Sequence, residues 1–144
     1  MTLYIGSDHA GYAFKEEIKA YLAARDVAVD DLGCPSTDSV DYPDYAVMVA
    51  QAVAADPAHR GILVCGTGIG VSIAANKVAG VRAALCHTEF EAEMCRLHND
   101  ANIICVGSRT TGMGVVLRLI DRFLATEFEG GRHARRVAKI NDLD

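Results

Sequence analysis

No apolar stretch of this sequence approaches the roughly 20 residues that a membrane-spanning helix needs, so no membrane is expected as a partner. The opening residues, Met1-Thr2-Leu3-Tyr4-Ile5-Gly6-Ser7-Asp8, lack the basic n-region and long apolar h-region of a signal peptide. A cytoplasmic location is therefore expected. Positive charge is not in excess. The 14 Lys and Arg stand against 19 Asp and Glu, a formal net charge of −5, and nucleic acid is not expected as a partner. The five cysteines are odd in number and include no Cys-x-x-Cys pair, which argues against a disulfide framework and a zinc knuckle. No cluster has metal-ligand spacing, so no metal is expected. There is also no Gly-x-Ser-x-Gly elbow of a hydrolase, and no linker, repeat or low-complexity segment.

What remains is an ordinary globular composition, 51% hydrophobic and 23% charged over 144 residues, enough for one domain with a real core. Short apolar runs alternate with amphipathic ones. Leu3-Tyr4-Ile5, Val27-Ala28-Val29 closed by Leu32-Gly33, Ile62-Leu63-Val64, Val81 to Cys86 and Ile103-Ile104-Cys105-Val106 read as strands. Helical patterns lie between them. Phe14, Ile18, Tyr21 and Leu22 share a face, as do Phe90, Met94 and Leu97, and as do Val115, Val116, Leu119, Ile120, Phe123 and Leu124. Pro43 and Asp44 suit a helix start after Asp41, and His87-Thr88 suits another. Strands this apolar are buried on both faces, and crossovers of this length imply parallel pairing. The expected architecture is a single α/β domain over residues 1–144. It is Rossmann-like and doubly wound, with a five-stranded parallel sheet and a C-terminal basic helix from Arg132 to Ile140.

The stretch Cys65-Gly66-Thr67-Gly68-Ile69-Gly70 follows the third strand and opens a small-residue helix. Strand, glycine-rich turn and helix start aim backbone N–H groups at an anion. A thiol at the strand end, in that field, loses its proton more readily than a free cysteine. The spacing is G-x-G-x-G and not G-x-G-x-x-G. It follows the third strand, no acidic residue ends the fourth, and no Walker lysine is present, so a nucleotide is disfavoured. A tight turn with glycines for packing alone stays open at this point. Ligands of such sheets bind beyond the carboxyl ends of the strands. Asp8-His9, Cys65 and Ser108-Arg109 should share that rim. Arg132 and Arg136, four apart on one helical face, suit a phosphate; the alternative is a solvated basic surface. That segment has few apolar anchors, which suggests packing on a neighbour. Of the other cysteines, Cys86, Cys95 and Cys105 read as small buried hydrophobes, and Cys34, in the polar loop, is expected at the surface. His59 and His87 are expected to be structural or exposed.

Six segments together resemble the type B ribose-5-phosphate isomerases, a family that includes the galactose-6-phosphate isomerase subunits. They are Gly6-Ser7-Asp8-His9-Ala10-Gly11, Asp41-Tyr42-Pro43, Cys65 to Gly70, Ser72 to Lys77, Arg96-Leu97-His98-Asn99-Asp100 and Gly130-Gly131-Arg132-His133. The resemblance runs from the first strand to the last helix. It implies a cofactor-free aldose–ketose isomerase, ribose 5-phosphate and ribulose 5-phosphate being the usual pair, acting through a cis-enediol. By resemblance, Cys65 is the base. In another branch a glutamate serves from the place held here by Val71. His98, helped by Thr67 and Asp8, would open the furanose ring. His9, Arg132 and Arg136 would hold the phosphate, Arg109 and Asn99 would line the site, and Tyr42 would touch the sugar. Gly66, Thr67, Gly68, Ile69 and Gly70 would bind the substrate through the loop. Family sites form between two subunits of a homodimer, and pairing of dimers into tetramers stays open. Alternatives are another sugar phosphate (a tetrose phosphate, or a hexose 6-phosphate such as that of allose or galactose) and a non-catalytic sugar-phosphate-binding subunit.

Overall fold

The computed structural model describes residues 1–144. The elements run β1 (Leu3–Ser7), α1 (Tyr12–Ala23), β2 (Asp30–Asp31), α2 (Tyr42–Ala54), β3 (Arg60–Cys65), α3 (Ile69–Ala75), β4 (Ala83–Leu85), α4 (Glu89–Asn99), β5 (Ile103–Gly107), α5 (Met113–Ala125) and α6 (Arg132–Asn141). The strands form one all-parallel sheet in the order β2-β1-β3-β5-β4. This is the doubly wound α/β architecture the strand–helix alternation implies.

Strand alternation explains the two layers. In β3, Ile62 and Val64 point to one face, where they pack with Ile18 and Leu22 of α1 and with Val116, Leu119, Ile120 and Phe123 of α5. Leu63 and Cys65 point to the other, against Ala46, Val49, Ala50 and Val53 of α2 and Val71 and Ala75 of α3. Each fully buried Ile or Leu contributes about 1.5–3 kcal/mol. The helix starts follow local chemistry. Thr88 accepts from the Glu91 N–H at 3.2 Å while the Glu91 carboxylate accepts from Thr88 N–H at 3.0 Å, a full capping box for α4. Pro43 stands in the first turn of α2.

Four details differ from the sequence reading. The second strand is only Asp30–Asp31, because Val27 and Val29 pack into the α1–α5 core instead of joining the ladder. The fourth begins at Ala83 and not at Val81. The Asn102 side chain accepts from the Arg82 N–H at 2.8 Å, so a side chain takes the place of the ladder there. Cys34 is fully buried. Ser7 N–H donates to Gly33 O (2.8 Å) and Cys34 N–H to Ser7 O (2.9 Å), which lays that loop on the end of β1. Phe90 is 70% exposed, since α4 turns Ala92, Cys95 and Arg96 inward. The buried Arg96 is matched by the Asp100 carboxylate and the carbonyls of Thr126 and Ala101.

Candidate active site

The helix after β1 lies on one face of the sheet and the helix after β3 on the other. Their connecting loops therefore part at the carboxyl ends of two adjacent strands, the usual place for a ligand crevice. An open cleft of about 490 Å³ lies there, lined by Asp8, His9, Tyr42, Cys65, Thr67 and Arg109 among others. The expected sharing of one rim by Asp8-His9, Cys65 and Arg109 is what the fold produces. Ser108 Oγ donates to Ala10 O at 2.8 Å and ties the β5 end to the turn after Asp8.

Cys65 is 5% exposed, at the bottom of this cleft. The Gly68 N–H donates to its Sγ at 3.1 Å. An N–H aimed at sulfur stabilises negative charge on it. Two other thiols are chemically silent. Burial, with Cys65 nearby, pushes Cys105 far above an ordinary cysteine, and the Cys95 side chain and burial do the same to Cys86.

The loop divides its N–H groups. That of Gly68 goes to sulfur, and that of Ile69 goes to Thr67 Oγ1 at 3.3 Å. Those of Gly66, Thr67 and Gly70 find no acceptor within the chain, and all three residues line the cleft. Gly68 itself is not among the residues that line it. Gly68 has φ +77°, and a Cβ there would lie 2.5 Å from Leu85 Cδ1 and 2.9 Å from the Val106 carbonyl carbon. Gly68→Ala is therefore expected to destabilise the fold by about 2–3 kcal/mol, readable as a lowered urea midpoint. At Gly70 a Cβ would lie 2.6 Å from Tyr42 Cε2, so the missing side chain lets the tyrosine ring lie over the loop.

Two groups are pre-oriented. One Asp8 carboxylate oxygen accepts from the Gly11 N–H at 3.0 Å, which fixes the side chain at the start of α1. His9 Nδ1 accepts from the Val40 N–H at 3.2 Å. The neutral ring then carries its proton on Nε2, as a donor.

His98, Asn99, Arg132 and Arg136 do not line this cleft. In a parallel sheet, α4 starts at the carboxyl edge after β4 and returns to the amino edge before β5. His98 and Asn99 occupy its last turn, at the amino edge. The cleft lies at the far end of β5, a strand about 15 Å long at its usual rise. Helix α6 docks on this end of α4 through His133 and Val137, leaving Arg132 and Arg136 exposed. The residues expected at the site thus fall in two groups at opposite edges of the sheet.

The second group holds residues to which the sequence reading assigned no role. The His98 and His133 rings are stacked, with centroids 4.3 Å apart and planes 12° apart. Glu129 Oε2 lies 3.4 Å from His133 Nε2 and 4.0 Å from His98 Nε2. Glu129 and His133 are four residues apart, a weak signal by itself. Only the return of α6 onto α4 joins them to His98.

Residues 3–140 match the family model for ribose/galactose isomerases. The chain is 46% identical over 139 residues to ribose-5-phosphate isomerase B of Escherichia coli strain K12, covering 96% of this chain and 93% of that protein. Among solved structures, ribose-5-phosphate isomerase B of Clostridium thermocellum superposes with a TM-score of 0.96 at 50% identity, over 99% of this chain and 97% of the other. The Mycoplasma genitalium ribose-5-phosphate isomerase B, solved with bound ribulose-5-phosphate, gives a TM-score of 0.95 at 43% identity, over 99% and 95%. With a cysteine at the carboxyl end of β3 and a match that runs from β1 into α6, the chain belongs to the ribose/galactose isomerase family.

Proposed function

We propose that this chain interconverts ribose 5-phosphate and ribulose 5-phosphate, with Cys65 as the base. The observation that carries this reading is the thiol at the floor of the cleft, with one loop N–H on its sulfur and three more unpaired beside it. In the open-chain aldose, the Cys65 thiolate takes the proton from C2. The C–H electron pair becomes the C1=C2 bond, and the carbonyl pair moves onto O1. The N–H groups of Gly66, Thr67 and Gly70 are placed to stabilise that oxygen, a type of contact worth about 10²–10³ in rate per donor. A proton passes from O2 to O1, and the Cys65 thiol returns its proton to C1 as the C2 carbonyl forms. Thr67 and Asp8 line the same cleft as Cys65 and serve the hydroxyl protons. Every electron pair is accounted for within the substrate, so the reaction calls for no cofactor.

The phosphate needs cations, and the ring needs an acid to open it. His9 and Arg109 stand at the cleft. His98, Asn99, Arg132 and Arg136 reach it from a second copy of the chain, so that a two-fold homodimer carries two equal sites, each drawn from both subunits. The half-exposed apolar side chains of Tyr42, Ile69 and Ile73 lie along the cleft and give the second copy a surface to cover. No helix of the chain is long and apolar enough to cross a membrane, and we place the enzyme in the cytoplasm.

Turnover of a panel of four-, five- and six-carbon aldose phosphates tests the substrate assignment. Ribose 5-phosphate is expected to show the highest kcat/KM, by about 10-fold or more over hexose 6-phosphates. Faster turnover of a hexose or tetrose phosphate would reassign the substrate.

A further inference from the structure

We infer that His133 and Glu129 are positioning residues for His98, forming with it a stacked unit that holds a single positive charge and fixes the His98 ring for sugar ring opening. The inference rests on the reading of His98 as the ring-opening acid. His133 is 5% exposed, and its buried Nε2 makes no hydrogen bond. The other buried polar side chains of the chain find partners, Lys15 on Asp31 and Arg96 on Asp100 among them. An imidazole left this way on the inner face of α6 is costly for stability alone, whereas a leucine would fill the position without that cost.

The surroundings give His133 a use. Its ring lies flat on His98, centroids 4.3 Å apart and planes 12° apart. Two imidazolium rings so stacked repel, so the pair carries at most one positive charge. The groups facing His133 are His98 of α4, Glu129 of the preceding loop, and Arg132 and Arg136 of its own helix. Burial, His98 and the two arginines disfavour charge on it, and Glu129 alone favours it. Their sum holds its pKa below that of an ordinary histidine. The His98 side chain, by contrast, is 40% exposed and open to solvent. The Glu129 carboxylate lies at the Nε2 edges of both rings, where it can balance one positive charge on the pair. Glu129 is itself tied down, its N–H donating to Leu97 O at 3.2 Å. The same three residues do not suit one metal ion. Nearly parallel rings place their nitrogen lone pairs in parallel planes, and a single ion cannot lie in both.

The unit therefore fixes the His98 plane by stacking, prevents a second charge beside it, and supplies a counter-charge. These are requirements of an acid that protonates a ring oxygen. They are irrelevant to proton transfer between C1 and C2.

The two steps can be read separately. Ribulose 5-phosphate has no hydroxyl able to close a furanose on C2, so deuterium exchange at its C1 in heavy water reports the enediol step alone. Turnover of ribose 5-phosphate reports ring opening as well. His133→Ala is expected to lower ribose 5-phosphate turnover by about 10-fold or more beyond any loss in ribulose 5-phosphate exchange. His133→Phe, which keeps a flat ring on His98, should recover part of that loss. Glu129→Gln removes the counter-charge, so the acid form of the unit should be lost at lower pH. The alkaline limb of the ribose 5-phosphate profile should then move down by about half a pH unit, while the exchange profile stays in place. Equal losses on both measurements, or an unmoved limb in Glu129→Gln, would overturn the inference. Glu129 is exposed, so that variant carries the test even if His133→Ala fails to fold. His98→Asn separates the underlying reading. If it stops exchange as fully as turnover, the ring-opening role of His98 fails, whatever the His133 variants do.

Discussion

Cys65→Ala is expected to abolish deuterium incorporation at C2 and C1 when either sugar phosphate is incubated in heavy water. A positioned base contributes about 10²–10⁴ in rate, and neither Val71 nor Cys105 can take the place of the Cys65 thiol. Val71, the position at which resemblance places a glutamate in other branches, is a fully buried valine. Cys105 is held protonated by its burial. The loss should not come from unfolding, since deleting one nearly buried sulfur costs about 1 kcal/mol. Cys65→Ser supplies the control. Its hydroxyl still accepts from the Gly68 N–H, yet it is a far weaker acid than a thiol, so exchange should fall almost as far with the melting temperature little changed. Exchange by Cys65→Ala within about 10-fold of wild type would remove Cys65 from the proton transfer.

Removing both guanidinium groups in Arg132→Ala/Arg136→Ala should have the next largest effect. Each hydrogen bond to a charged group is worth about 1.5–3 kcal/mol. Two of them lost together cost about 3–6 kcal/mol, or roughly 10²–10⁴ in kcat/KM. Remote phosphate binding holds the reacting carbons over the base, so kcat should fall along with the rise in KM. Both side chains are exposed, and α6 is anchored by His133 and Val137 instead. Stability should therefore stay within about 0.5 kcal/mol of wild type. Inhibition by inorganic phosphate provides an independent reading and should weaken in parallel. Unchanged KM and unchanged phosphate inhibition would leave α6 as a solvated basic surface.

Much of this arrangement is legible in the amino-acid sequence because it rests on local patterns. Continuous apolar runs mark strands buried on both faces, the glycine spacing after Cys65 marks a tight turn, and strand ends share a rim by topology. What escapes is set by tertiary contact. Cys34 looks exposed in a polar loop, yet two backbone hydrogen bonds to Ser7 fold it under the sheet end. Val27 and Val29 carry strand propensity, but the α1–α5 core takes their side chains and leaves only Asp30–Asp31 paired. Phe90 fits the apolar spacing of α4, while the buried Arg96 and its three partners set which face turns inward. The grouping of Glu129 and His133 with His98 depends on how α6 returns to α4, which no spacing rule contains. The division of the expected site residues between two edges was present in the topology all along. His98 and Asn99 precede β5, Arg109 follows it, and a parallel strand lies between them.

That division makes the proposed sharing of sites between subunits open to a direct measurement. Cys65→Ala and His98→Asn are each expected to be nearly inactive on ribose 5-phosphate. When the two proteins are unfolded together and refolded as a mixture, half of the dimers should contain one chain of each. Every mixed dimer then has one site with both substitutions and one site with neither. Activity should rise to about a quarter of the wild-type value at equal total protein. A mixture that shows mixed dimers but no more activity than the sum of its parts would contradict a site built from Cys65 of one chain and His98 of another.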